Sequence, residues 1–143
     1  MQPPSPLILL IENDESDVFF FRRALSRLGY RGTVRIVTGV TDARAYLENR
    51  GPYTDRDYYL RPDLIVSDMK LTGERGTEFL EWLRVQDQLR DIPVVMLSGS
   101  SLPEEKNRSQ ELGARAFFVK SGDILGLTTQ VEELLRFLPK NNS

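Results

Sequence analysis

Five short apolar runs recur along the chain: Leu7 to Ile11, Val34 to Val37, Leu64 to Val66, Val94 to Leu97 and Ala116 to Val119. Four carry no charge, as strands buried on both faces of a parallel sheet do. The run containing Arg35 alternates, as an edge strand does. Between the runs, apolar positions recur at helical spacing. Val18, Phe21, Leu25 and Leu28 predict a first helix stopped by Gly29. Thr41 is placed to cap a second helix through Ala45 and Leu47, ended by Gly51-Pro52. Thr77 is placed to cap a third, with Phe79, Leu80 and Leu83 inward. Ser101 to Glu104 reads as a capping box opening a fourth, closed by Gly113. Leu127, Val131, Leu134, Leu135 and Leu138 predict a fifth, stopped by Pro139.

Strand and helix thus alternate, which predicts a doubly wound parallel α/β sheet with helices on both faces. The longest connection, Arg50 to Arg61, holds three tyrosines and reads as a surface loop. There is no internal repeat. One domain is expected over 7–138, between a disordered tail at 1–6 and a short tail at 139–143.

Composition narrows the chemistry. The chain has 143 residues, no cysteine and no histidine. Disulfides, thiolate nucleophiles, Cys- or His-ligated metals and Ser-His-Asp triads are therefore excluded. Nineteen basic residues against 21 acidic ones give a net charge of −2, which argues against a broadly basic nucleic-acid binder. The apolar run at Leu7 is too short for a signal peptide or membrane span, so a cytoplasmic protein is expected. Any metal should be a hard cation held through oxygen.

In open parallel sheets, ligands bind beyond the carboxyl ends of the strands. The residues following the runs are Glu12-Asn13-Asp14, Ser67-Asp68, Ser98 to Ser101, and Lys120-Ser121. Asp63 lies at the opposite end of its strand and drops out. Carboxylates from two strands can hold a divalent cation, and an aspartate such as Asp68 can accept a phosphoryl group. Lys120 could neutralise the incoming charge, and Ser98 could donate a hydrogen bond. Such transfer needs positioning and neutralisation rather than a histidine on this chain. Each group also has an ordinary explanation. Acids before a helix cap it and complement its dipole, Asp68 can merely end a strand, Ser98 to Ser101 can be a turn, and Lys120 can be a solvated charge. Their convergence on one sheet edge favours a site.

At these residues the chain resembles the receiver domain of bacterial two-component response regulators. The carriers are LILLIEND (7–14), RPDLIVSD (61–68), IPVVMLS (92–98) and LGARAFFVK (112–120), in the family's order and spacing. The long loop before the third run is similar to that of stand-alone regulators working with bacterial phytochrome kinases. The resemblance implies a flavodoxin-like five-stranded sheet in the order 2-1-3-4-5. It implies phosphorylation of Asp68 from a phosphohistidine of a sensor histidine kinase or phosphotransfer protein. It implies a magnesium ion near Glu12, Asn13 and Asp68, with the Lys70 backbone carbonyl as a further ligand. Ser98 and Phe117 match the switch hydroxyl and switch aromatic, Lys120 matches the family lysine, and Lys70 and Ser100 sit where dephosphorylation is tuned. Output is then expected through binding a downstream protein, or through homodimerisation, with no nucleic acid or membrane and no conventional enzyme activity.

Three positions depart from the family. Asn13 stands where an aspartate usually ligates the metal, although neighbouring Asp14 could compensate. Thr72 stands where a proline usually follows the acceptor strand. Ser121 replaces the proline after the lysine, so the Lys120–Ser121 bond is either trans or a costly cis form. These departures motivate a rival reading, a pseudo-receiver acting as an interaction module with little or no phosphorylation. A hydrolase or nucleotide binder on the same fold is a third; neither usual glycine-rich phosphate motif is present. The run Val18-Phe19-Phe20-Phe21 either covers a wide buried helix face or leaves a phenylalanine exposed as a partner surface.

Overall fold

The computed structural model describes residues 5–71 and 74–139. Strands β1 (Leu7–Ile11), β2 (Thr33–Val37), β3 (Leu64–Ser67), β6 (Val94–Ser98) and β7 (Ala116–Val119) form one parallel sheet. Its order is β2-β1-β3-β6-β7. This is the expected 2-1-3-4-5 layout, because β4 (Lys70–Leu71) and β5 (Glu74–Arg75) form only a small separate hairpin. Both edges are partly covered: β2 around Arg35, as its alternation predicted, and β7, which is only half-buried despite carrying no charge.

Alternation along the central strands divides the core. Leu9, Ile11 and Ile65 face one side, packed by α2 (Val40–Leu47) and α3 (Gly76–Leu83). Ile8, Leu10, Leu64 and Val66 face the other, packed by α1 (Glu15–Arg27) and α5 (Ile124–Leu134). Since successive side chains of a strand point to opposite faces, one unbroken apolar run serves both layers.

Helix ends follow the sequence at some points and not at others. Gly29 takes a positive φ of 70° just past α1, as its stop position required. α2 instead starts at Val40 with Gly39 as N-cap, and the Thr41 hydroxyl donates to Glu74. Burying Val40 brings the helix start forward by two residues. α2 also ends earlier than expected: Glu48 is its C-cap, and Asn49 turns the chain with a φ of 52° before Gly51-Pro52. Thr77 does not cap α3 either; the N-cap is Arg75, and the Gly76 N–H donates to the Met69 carbonyl. A Cβ on Gly76 would lie 2.5 Å from the Asp68 carbonyl, so glycine allows α3 to begin against that loop. The fourth helix, α4 (Pro103–Glu111), has no capping box: Pro103 occupies its first turn and Leu102 is the N-cap. α5 gives way to a 3-10 turn at Leu135–Phe137, short of Pro139.

The 50–61 connection is more than a surface loop. Tyr53 and Tyr59 pack edge-on or tilted against buried Tyr46, and the Arg35 guanidinium stacks over Tyr58 at 4.2 Å. Pro6, placed in the N-terminal tail by sequence, is engaged: its carbonyl accepts from Thr33 N–H and Tyr30 OH. The remaining tail residues 1–4 and 140–143, and Thr72, lie outside the described residues.

Candidate functional site

The carboxyl ends of β1, β3 and β7 bring Glu12, Asp68 and Lys120 together. Lys120 Nζ lies 2.7 Å from Glu12 Oε1 and 3.2 Å from Asp68 Oδ2. Asp17, in the first turn of α1, completes the set at 2.8 Å. Carboxylate oxygens of Glu12, Asp17 and Asp68 all lie within 4.8 Å of one another. Sequence reasoning overlooked Asp17. A signal was present: Asp17 stands four residues before buried Phe21, so it shares that helix's inward face at the end nearest the strand tips.

Backbone groups orient Asp68. Its Oδ1 accepts from Met69 N–H at 2.6 Å and more weakly from Lys70 N–H at 3.4 Å, leaving Oδ2 for Lys120. Asp63 sits at the far end of β3, pairing with the Leu7 backbone, as expected. Asp14 does not compensate at the cluster: its carboxylate caps α1 by accepting from Asp17 N–H at 2.9 Å. That bond still serves the site, because it fixes the turn carrying Asp17. Asn13 is exposed between Glu12 and this cap.

Burial dominates the electrostatics of Glu12, which is only 4% exposed. Desolvation raises its pKa above the usual glutamate value, against the hydrogen bond and charge of Lys120 and with help from the Asp68 charge. Burial pulls Lys120 down, but its hydrogen bonds to Asp17 and Glu12 and the charges of Asp68 and Glu12 outweigh that, and its pKa is raised. The lysine is therefore a fixed cation at neutral pH.

The other predicted residues surround this centre. Ser98 is buried at the end of β6, where its hydroxyl oxygen accepts from Ser100 N–H at 3.1 Å. No hydrogen bond joins it to Asp68 among the described residues. Phe117 is half-buried against the core layer of α2 and α3. Lys70 is exposed on β4. No peptide bond is cis among the described residues, so Lys120–Ser121 is trans. Phe21 is buried, whereas Phe19 and Phe20 are 58% and 44% exposed, so the wide buried face is not formed. Phe20 lines a small cavity with Glu12, Asp17, Asp68, Lys120 and Ile124.

The sequence profile of the response regulator receiver domain matches residues 8–132. The chain belongs to the response regulator receiver domain family. This receiver is 28% identical over 134 residues to the response regulator Rcp1 of Synechocystis sp., covering 94% of this chain and 89% of that protein. The phosphorylated cyanobacterial phytochrome response regulator RcpA superposes with a TM-score of 0.85 at 29% identity, covering 94% of each chain. The bacteriophytochrome response regulator AtBRR gives a TM-score of 0.79 at 32% identity, covering 99% of this chain and all of that one (100%). Rcp1 is also similar in its Mn2+-bound form, with a TM-score of 0.82 at 27% identity over 94% of this chain and 99% of that one. The receiver is thus a response regulator of two-component signalling, of the type of Rcp1. None of its described helices is long and apolar enough to cross a membrane.

Proposed function

We propose that this receiver is a phosphorylation switch whose acceptor is Asp68. The observation carrying the reading is the contact of Lys120 Nζ with Asp68 Oδ2 inside the Glu12–Asp17 carboxylate pair. Three oxygen donors of this kind fit a hard divalent cation such as Mg2+. Glu12, Asp17 and Asp68 would hold it, with the Asn13 amide and the Lys70 carbonyl as further oxygens. Bound there, the ion would neutralise charge on the transferring phosphoryl group.

The phosphodonor is a phosphohistidine of a sensor histidine kinase or phosphotransfer protein. An Asp68 oxygen attacks phosphorus, the P–O bond forms and the P–N bond to the donor imidazole breaks. Lys120 supplies positive charge to the phosphoryl oxygens. Ser98 leaves its contact with Ser100 N–H and donates a hydrogen bond from its hydroxyl to one of them. The half-buried ring of Phe117 repacks as Ser98 moves, and the surface of α4, β7 and α5 changes. Leu102, Val119 and Leu125 already expose apolar surface there for a downstream protein or a second copy of the chain. Exposed Phe19 and Phe20 beside the cavity offer contact area to the donor. The receiver acts as an acceptor that assists its own phosphorylation and dephosphorylation, in the cytoplasm, and not as a conventional enzyme.

The test is incubation with Mg2+ and acetyl phosphate followed by intact-mass spectrometry. One phosphoryl adduct, labile to hydroxylamine and lost in Asp68→Asn, is expected. Absence of the adduct with several divalent metals would support the pseudo-receiver reading instead.

A further inference from the structure

The segment carrying the site lysine lies beyond the last ladder position of an edge strand. β7 ends at Val119, paired with Ser98, and the Lys120 N–H still reaches the Ser98 carbonyl at 2.7 Å. On the other side, an edge strand leaves its backbone groups without a neighbouring strand. One side chain fills that gap. Gln130 Nε2 donates to the Val119 carbonyl at 2.5 Å, and Gln130 Oε1 accepts from the Ser121 N–H at 3.0 Å. A single amide on α5 thus grips the backbone on both flanks of Lys120. The second bond exists because residue 121 is a serine, since proline has no N–H to give.

The seat of this segment on α5 is close. A Cβ on Gly126 would lie 2.8 Å from Ser121 Cβ and 2.1 Å from its Oγ, so a larger residue there would force the two segments to shift apart. Asp123 caps α5 by accepting from Gly126 N–H at 2.7 Å, which fixes the first turn of the helix against the same residues. Lys120 has a long, flexible side chain that must hold three carboxylates at once. Side-chain contacts alone leave its Cα free to shift, and a small misplacement of a charged group costs much of its effect.

We propose that Gln130 is the positioning residue for Lys120, fixing the lysine's backbone from α5 so that its ammonium reaches Glu12, Asp17 and Asp68 together. The kinetic consequence rests on the phosphorylation reading above; the geometric claim does not. Gln130 touches none of the reacting atoms and acts through the peptide units on either side of the lysine.

Two measurements on the full chain test this. The first is the lysine ammonium NMR spectrum of metal-free, 15N-labelled protein. A slowly exchanging signal that disappears in Lys120→Met is expected. In Gln130→Ala its exchange should quicken roughly tenfold, as when contacts weaken by the worth of one or two hydrogen bonds. Gln130→Glu keeps the acceptor for Ser121 but loses the donor for Val119, and should fall between. An ammonium signal unchanged in folded Gln130→Ala overturns the proposal; if that variant does not fold, an unchanged signal in Gln130→Glu does so.

The second measurement is the rate of phosphorylation by acetyl phosphate with Mg2+. Gln130→Ala should slow it roughly tenfold or more, and should add no further loss in a Lys120→Met background. Losses that simply add would overturn the proposal. A wild-type protein that takes up no phosphoryl group contradicts the phosphorylation reading, and the ammonium spectrum still decides the role of Gln130.

Discussion

Lys120 Nζ lies 2.7 Å from Glu12 Oε1 across 108 positions of sequence. The contact joins the end of the first strand to the end of the last and closes the acidic cleft over Asp68. At neutral pH the lysine occupies the place where positive charge is needed, and its partners are the groups that would hold a cation. On the proposed reading, ammonium and divalent ion would act on the same three carboxylates, and several consequences of that sharing can be measured.

Asp17 should matter to cation binding as much as the residues on the strands. Asp17→Asn removes one of three charges and should weaken Mg2+ or Mn2+ binding roughly tenfold, about 1.4 kcal/mol. Asn13→Asp should act in the opposite direction by adding a charge beside Glu12. Titration calorimetry measures both. Unchanged affinity in Asp17→Asn would remove that residue from the site.

Lys120→Ala should destabilise the metal-free protein. The raised pKa of Lys120 means that its stabilising contribution is fully present below 10.5 and is lost as pH rises through the higher folded-state value. At neutral pH the whole of it is at stake. Breaking a closed ion pair costs about 3–5 kcal/mol. Asp17 is 40% exposed, so solvent screens its part of the network, and about 2 kcal/mol is expected here. Urea unfolding in EDTA and in Mg2+ should show the loss and then its partial recovery, since the cation replaces the ammonium. Equal stability of variant and wild type in EDTA would contradict the network.

Glu12 should show the same direction of pH dependence in a lower window, because its folded-state pKa is also raised. Burial raises its pKa above 4.5, so its contribution is present below that value and is lost as pH rises through the folded-state pKa. In metal-free protein, Glu12→Gln should therefore gain stability relative to wild type as pH climbs above 4.5. Parallel unfolding curves at each pH measure the difference. A difference that is flat with pH, or that moves the other way, would show that burial does not control this carboxyl.

The phenylalanine run separates core from surface within three residues. Phe21 is 2% exposed, and Phe21→Ala should cost about 3–5 kcal/mol. Phe19→Ala and Phe20→Ala should change stability by no more than about 0.5 kcal/mol. Thermal and urea unfolding distinguish the cases. If the donor docks beside the cavity, the two surface variants should instead slow phosphotransfer from a phosphohistidine protein while leaving labelling by acetyl phosphate intact.

The sheet was legible because its strands are short apolar runs separated by helical segments, although α4 has no apolar period and was marked only by the residues at its start and by Gly113. Glu12, Asp68 and Lys120 were legible because the topology places strand ends on one edge. Asp17 was not, because reading only the residues that follow strands leaves out a helix face turned toward the same edge. Of the two roles the sequence left open for Asp14, the helix cap is the one formed, because its carboxylate accepts from the Asp17 N–H. The cap at Thr41 failed because burial of Val40 fixed the start of that helix, and the cap at Thr77 because Gly76 hydrogen-bonds to the Met69 carbonyl. Nothing in the sequence marked Gln130, since its significance lies in two backbone contacts made nine and eleven positions away.

Chemical mapping of the acceptor tests the central claim most directly. Protein labelled by acetyl phosphate and Mg2+ is reduced with borohydride, which converts an aspartyl phosphate to homoserine, and then digested and sequenced by tandem mass spectrometry. Homoserine at position 68, and no conversion there without the phosphodonor, is the predicted result. Homoserine at another carboxylate, or a stable phosphate ester on Ser98 with position 68 untouched, would contradict it.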